Sequence, residues 1–418
     1  MVTGMTRRLL LKQGGIALVG LGLPPSFLTR AAAAQGRRRR ALVVVFQRGA
    51  VDGLNMVVPF GEREYYFARP SIAIPQPGQA EGAALPLDDV FGLHPRLAPL
   101  APLYRRRQMA VVHACGSPLS TRSHFDAQDY LESGTPGVKG TTDGWLNRYL
   151  AEQADHMGTP FRGVAMTGQR PRALQGEAAT LVIPDLTRLG IRNAPGSANI
   201  SAAFREQYRA EAGDLLGDSA REAFEAIDLL DSVRPQDTAP ANGAVYPTSS
   251  YGRALRQIAQ LIKADIGLEV AFAESQGWDH HANEGGATGQ LATGLDDFAR
   301  GLAALNTDLG DRMEDVLILT MSEFGRSVAE NGSRGTDHGH GNVMLLLGGG
   351  VRGGAIHGRW PGLSAEQRFE GRDLAVTTDF RDLFGEVLVQ HLGLTLDGAN
   401  NVFPGYDISP ARFPGALR

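Results

Sequence analysis

Ala41-Leu42-Val43-Val44-Val45-Phe46 is an unbroken apolar run rich in β-formers, and it decides the fold. No polar residue alternates into it, so neither side of the strand is meant for water. That is the pattern of a strand in a parallel sheet covered on both faces. Met109–Ala114, Glu269–Ala273, Val316–Met321 and Val343–Leu347 read as further strands of this kind. Between them lie stretches of helical period: Ser123 or His124 to Glu132, 202–230, Tyr251–Ile266 and Leu291–Leu309. Strands alternating with helices predict a three-layer α/β/α architecture with a mostly parallel central sheet. Residues 161–195 are rich in Gly and Pro and read as excursions over the active face, and 235–247 as a polar connector. With no internal repeat of fixed period, residues 35–418 are read as one α/β domain with loop insertions.

The segment before the first strand reads as an address. Thr6-Arg7-Arg8-Leu9-Leu10-Leu11-Lys12 sets a twin-arginine pair before apolar residues, a weakly hydrophobic run spans Gly14 to Leu28, and Ala31–Ala34 offers a small-residue cleavage region. Basic, apolar and small segments in that order form an export signal, here residues 1–34. The apolar run is too short and too rich in glycine for a span of about 20 apolar residues, so no stable membrane span is expected. The twin-arginine pair makes the translocase of that route the expected export partner and the periplasm or exterior the destination. That route moves folded proteins, and a common reason to fold first is to load a cofactor or metal before export.

A net charge of -4 argues against a nucleic-acid partner, which calls for a strongly basic domain. The single cysteine, Cys115, cannot form an internal disulfide, so no covalent brace is available in an oxidising compartment.

Ligands of open parallel sheets bind beyond the carboxyl ends of the strands. Arg48 and Asp52 follow the first strand; Ser117, Ser120, Thr121, Arg122, Ser123, His124 and Asp126 follow the second. Trp278-Asp279-His280-His281 follows the third and Ser322-Glu323-Phe324-Gly325-Arg326 the fourth, before a glycine-rich loop with Thr336-Asp337-His338-Gly339-His340. Imidazole and carboxylate together suit zinc, manganese or iron, and a catalytic site draws such ligands from separate segments. Asp279 with His281, and Asp337, His338 and His340, are therefore candidate metal ligands, against the plainer reading of polar turns in water. Glu323 is either a ligand or a carboxylate that holds a ligating histidine. His94, His113, His156 and His357 stand alone and read as hydrogen-bonding surface residues.

Ser123-His124-Phe125-Asp126 reads first as a helix start, with Ser123 as cap. A helix start after a strand also favours an anion, and Arg122 would add a forked donor. Ser123 is a candidate nucleophile beside His124, with Ser120 and Thr121 as rivals. A metal-free Ser123–His124–Asp126 hydrolase ranks last, because neighbours on one helix do not face each other.

Taken in order, Arg48–Asn55, Arg122–Asp129, Gly277–His281, Ser322–Arg326 and Gly335–Gly339 resemble the motifs of the domain of unknown function 1501 family. That family is grouped with the alkaline phosphatase and sulfatase superfamily, and the resemblance covers nearly the whole chain after the leader. It implies an alkaline phosphatase-like fold and a divalent metal, zinc first, with manganese, calcium or iron as alternatives. One metal would be held by Asp279, His281 and His338 or His340. A second would draw on Asp52 and on an Asp-His pair after the fourth strand, where Glu323-Phe324 stands instead; Asp337-His338 is the alternative source. The implied activity is hydrolysis of a phosphate or sulfate ester, on a small anionic ester or a sulfated or phosphorylated polymer, with Arg48, Arg122 or Arg326 holding the anion. The rival is a non-catalytic binding or assembly protein that keeps the fold.

Overall fold

The computed structural model describes residues 40–78, 80–153, 159, 161–186 and 235–418. The leader, the expected helix over 202–230 and His156 lie outside the described residues.

A nine-stranded sheet forms the centre. Its strands are β1 (Ala41–Arg48), β2 (Met109–Gly116), β3 (Gly163–Ala165), β4 (Leu181–Val182), β5 (Val270–Gln276) and β6 (Val316–Met321). After a hairpin made of β7 (Arg326–Glu330) and β8 (Thr336–His338), the sheet is completed by β9 (Asn342–Gly348), β10 (Ile356–His357) and β11 (Thr378–Asp379). The order across it is β10-β2-β9-β6-β1-β5-β3-β4, with β11 also on β2. In register, Val44 of β1 lies between Phe272 of β5 and Leu319 of β6.

The longer helices among the described residues are α1 (His124–Ser133), α2 (Trp145–Glu152), α3 (Ser250–Lys263), α4 (Gln290–Leu309), α5 (Phe380–Glu386) and α6 (Leu396–Val402). Successive side chains of β1 enter opposite cores. Val43 and Val45 pack in one cluster with Leu255 and Ile258 of α3 and Leu295 and Phe298 of α4. Leu42, Val44 and Phe46 pack in the other with Leu146 of α2, Phe384 of α5 and Val402 of α6. This double burial is why the strand tolerates no polar alternation, and each fully buried Val or Leu contributes about 1.5–3 kcal/mol. The three-layer α/β/α architecture with a mostly parallel sheet is thus observed, and no helix among the described residues is long and apolar enough to cross a membrane.

One strand departs from the expected direction. β9, expected as another parallel strand, is antiparallel to both β6 and β2. Parallel neighbours need a long crossover, usually a helix, whereas here the chain between β6 and β9 is spent on the β7–β8 hairpin and simply reverses. The consequence is local to function: that hairpin stays at the carboxyl end of the sheet, beside the residues that follow β1, β2 and β5.

Candidate metal centre

Four segments converge there. Ser123 caps α1, its Oγ accepting from Asp126 N at 3.4 Å, so His124 opens the helix. Asp279 follows β5, in a segment anchored by buried Trp278, whose Nε1 donates to the Ser275 carbonyl at 3.0 Å. In the hairpin, Arg326 pairs in register with His338. Two glycines allow the close approach. A Cβ on Gly335 would lie 2.3 Å from the His281 carbonyl carbon, and one on Gly325 only 1.8 Å from the Gly341 carbonyl oxygen.

His338 Nε2 sits 3.0 Å from His124 Nε2, 2.9 Å from His281 Nε2 and 3.3 Å from Asp279 Oδ1. His281 Nε2 is 3.0 Å from Asp279 Oδ1, and His124 Nε2 is 3.5 Å from Asp279 Oδ2. Ligand atoms of His124, Asp279 and His338 all lie within 4.8 Å of one another.

The other nitrogen of each ring fixes what these atoms are. His338 Nδ1 is 2.7 Å from the Arg122 carbonyl, His124 Nδ1 is 2.8 Å from Glu323 Oε1, and His281 Nδ1 is 3.3 Å from Asp337 Oδ1. Carbonyl and carboxylate oxygens only accept, so each neutral ring carries its hydrogen on Nδ1 and presents a bare Nε2 lone pair. The bare nitrogens of His124 and His338 and the Asp279 carboxylate then lie close together, with His281 Nε2 beside His338 and Asp279, a grouping that a cation would stabilise. Tetrahedral ligands about 2.0–2.2 Å from zinc lie roughly 3.3–3.6 Å apart, and His124, His338 and Asp279 stand 3.0, 3.3 and 3.5 Å from one another. The donor set fits a divalent metal.

The surroundings hold these ligands in their charge states. Glu323 is buried, which disfavours its charge, but hydrogen bonds from His124 and from Gln128 Nε2 at 2.8 Å, with one from Gly49 N at 2.9 Å, hold its carboxyl below the usual range. That carboxylate in turn raises the His124 pKa. Burial lowers that of His338. Asp279 is held low against its own desolvation by Arg326, whose Nη2 donates to Oδ1 at 2.6 Å. Phe324 packs against the rings of both His124 and His338, centroids 4.9 Å apart in each case, and gives the centre an apolar floor with Ala50 and Ala127. The opposite side is open: the side chains of Asp279 and His281 are 44% and 45% exposed, against 23% for His124 and 21% for His338.

Several candidate residues lie elsewhere or do something else. Asp52 is fully buried in a forked ion pair with Arg69, which overcomes the desolvation of its carboxyl and holds its pKa low; it is not among the converging ligands. His340 is buried and stacked on Phe369 at 4.4 Å, apart from the cluster. Asp337 and Glu323 orient histidines, the second of the two readings given for Glu323. Arg326 is buried, and its guanidinium is spent on the carbonyls of Ala50, Gly49, Thr336 and Trp278 as well as on Asp279, so it holds a ligand and not a substrate anion. Arg48 is likewise engaged by Glu274 at 2.7 Å and Glu132 at 2.9 Å. Arg122 pairs with Glu370 and Asp373 but remains 36% exposed. No Ser123–His124–Asp126 relay exists: His124 turns to Glu323, and Asp126 pairs with Lys139 at 3.0 Å. His94 and His113, read as surface residues, are buried, bonded through Nε2 to the carbonyls of Gly286 and Val57.

Gln128 and Arg69 went unnoticed in the sequence. Gln128 carried a signal, since it stands four residues after His124 on the same helical face. Arg69 carried none, because its partners Asp52 and Asn55 are joined to it only by folding.

The fold and this cluster define an α/β protein with, among the described residues, one candidate metal centre at the carboxyl end of its sheet. Residues 39–402 match the model of a family described as "Protein of unknown function (DUF1501)", and the chain belongs to that family. No curated protein matches it in sequence. Among solved structures it is similar to the PsFucS1 sulfatase from Pseudoalteromonas sp., at 13% identity and a TM-score of 0.41, covering 95% of this chain and 78% of that one. It is also similar to Ps i-CgsB in complex with k-i-k-neocarrahexaose, at 11% identity and a TM-score of 0.40, covering 89% and 76%. Likenesses this distant carry no argument about chemistry.

Proposed function

We propose that the protein is an exported, metal-dependent hydrolase of a phosphate or sulfate ester. The observation that supports this is the convergence of His124, His338 and the Asp279 carboxylate, their ligand atoms within 4.8 Å of one another, with the half-exposed His281 beside His338 and Asp279. His124, His338 and Asp279 would hold a divalent metal, zinc first, with His281, next to His338 and Asp279, as the candidate further ligand. When bound, the metal would polarise an ester oxygen and lower the pKa of a water. Glu323, Asp337 and the Arg122 carbonyl keep the three rings in the ligating tautomer. Phe324 excludes water from beneath. Arg122, the most exposed of the three candidate arginines, offers the donor for the anionic group at the rim. Ser123 serves as helix cap, and we assign the nucleophile to water. The twin-arginine leader supports passage through that translocase to the periplasm or beyond.

Metal analysis of the purified protein, combined with turnover of aryl phosphates and aryl sulfates before and after chelation, tests this reading. Chelator-sensitive hydrolysis of either class supports it. Bound metal with no turnover would favour the second reading, a secreted binding protein; Phe324, which cannot ligate, standing at the end of β6 favours that alternative.

A further inference from the structure

A cleft of about 510 Å³ opens beyond the carboxyl ends of β3, β4 and β5, on the same edge of the sheet as the metal centre. Its size falls within the range of small-molecule sites, and its position is where open α/β sheets bind ligands. Nothing in the hydrolase mechanism uses it. Three carboxylates line it, Asp185, Glu274 and Asp297, with Gln257 and Arg253 among the donors. Each carboxylate already accepts from a neighbour: Asp185 from Gln257 at 3.0 Å, Asp297 from Ser249 Oγ at 2.9 Å, and Glu274 from Arg48 at 2.7 Å. The wall therefore combines acceptors with amide, hydroxyl and guanidinium donors. Hydroxyl groups, which donate and accept at once, satisfy such a wall; a phosphate or sulfate faces an excess of carboxylates there.

The cleft is tied to the metal centre by a short chain of contacts. Arg48 joins Glu274 to Gln128, at 3.0 Å to its Oε1, and Gln128 donates to the Glu323 carboxylate that holds His124. We infer that this cleft binds the uncharged, polyhydroxylated alcohol portion of the ester, a saccharide, while the anionic group goes to the metal. The assignment of the two ends rests on the hydrolase reading; saccharide binding in the cleft does not.

The test is calorimetric titration of the metal-loaded protein with uncharged tetrasaccharides of differing linkage, with spermidine and inorganic sulfate as separate arms. Two variants locate the site. Gly168→Trp starts a side chain at the cleft wall where a Cβ meets nothing within 4 Å, so it adds bulk at the cleft wall. Asp297→Ala removes one acceptor. The expected result is binding of at least one tetrasaccharide at about 1 mM or tighter, weakened at least roughly tenfold in both variants with metal content unchanged. Spermidine binding without saccharide binding, no saccharide binding at all, or saccharide binding indifferent to Gly168→Trp would each overturn the proposal. Because the readout is binding and not turnover, a non-catalytic protein would still pass or fail it cleanly.

Discussion

His124 and His338 face each other with Nε2 atoms 3.0 Å apart, and neither neutral ring has a hydrogen to offer the other, because Glu323 and the Arg122 carbonyl hold both hydrogens on Nδ1. That arrangement favours a positive charge at the pair, either a metal ion or a proton on His124, whose pKa Glu323 raises. It makes His338, which also touches His281 and Asp279, the centre of the candidate site.

His338→Ala is therefore expected to abolish metal retention through purification, whereas His340→Ala, which removes a ring stacked on Phe369, keeps the metal at wild-type stoichiometry. Elemental analysis of the two variants decides this. Metal loss in both, or in neither, contradicts the assignment.

Glu323→Gln keeps the shape of the side chain but weakens its grip on the His124 hydrogen. Partners of this kind are worth about 10–100-fold in metal affinity. Competition against a chelator of known affinity should show a drop of that order, with circular dichroism unchanged.

Arg69 and Asp52 form a buried ion pair in which the Arg69 side chain is also bound to the carbonyls of Val328 and Ser327. Arg69→Met leaves a buried carboxylate without its cation, a change that costs about 3–5 kcal/mol. Adding Asp52→Asn to it should recover part of that loss, as read from urea unfolding midpoints. Since Asp52 is not among the converging ligands, the folded fraction of either variant should keep its metal.

Gly325→Ala sets a Cβ against a backbone oxygen that cannot swing aside. We expect a large fall in Tm and loss of metal together, because the displaced segment leads directly into Arg326. Gly371→Ala, where a Cβ meets nothing within 4 Å but φ is +67°, should cost only about 1 kcal/mol, the strain of that conformation.

Burial lowers the pKa of His94, His113 and His391 to about 4 in each case. The unfolded chain takes up those protons at a higher pH, near 6.5, so their contribution is complete above that value and is lost as pH falls toward 4. Each accounts for about 3 kcal/mol over that window. Urea midpoints should fall steeply between about pH 6.5 and pH 4.5, and His113→Gln should shallow the slope. A midpoint that does not move across this window would sink the prediction.

The sequence by itself determined the layers. Runs such as Ala41–Phe46 and Val316–Met321 can only be buried on both faces, and stretches such as Leu291–Leu309 can only cover them, so the three-layer sheet and the strand ends that carry the polar residues were legible from periodicity. The direction of β9 was not, because a parallel and an antiparallel buried strand have the same composition. Nor was the division of labour at the site. Residue types and spacing pointed to Asp279, His281 and His338, but only the tertiary structure turned His124 from a helix-start and candidate catalytic residue into a candidate ligand, sent His340 into a stack on Phe369, and gave Asp52 to Arg69. Those outcomes depend on which atoms meet across separations of some 17 to 216 residues. Local pattern records whether a side chain is apolar or polar; it does not record which distant partner fixes the hydrogen on its ring.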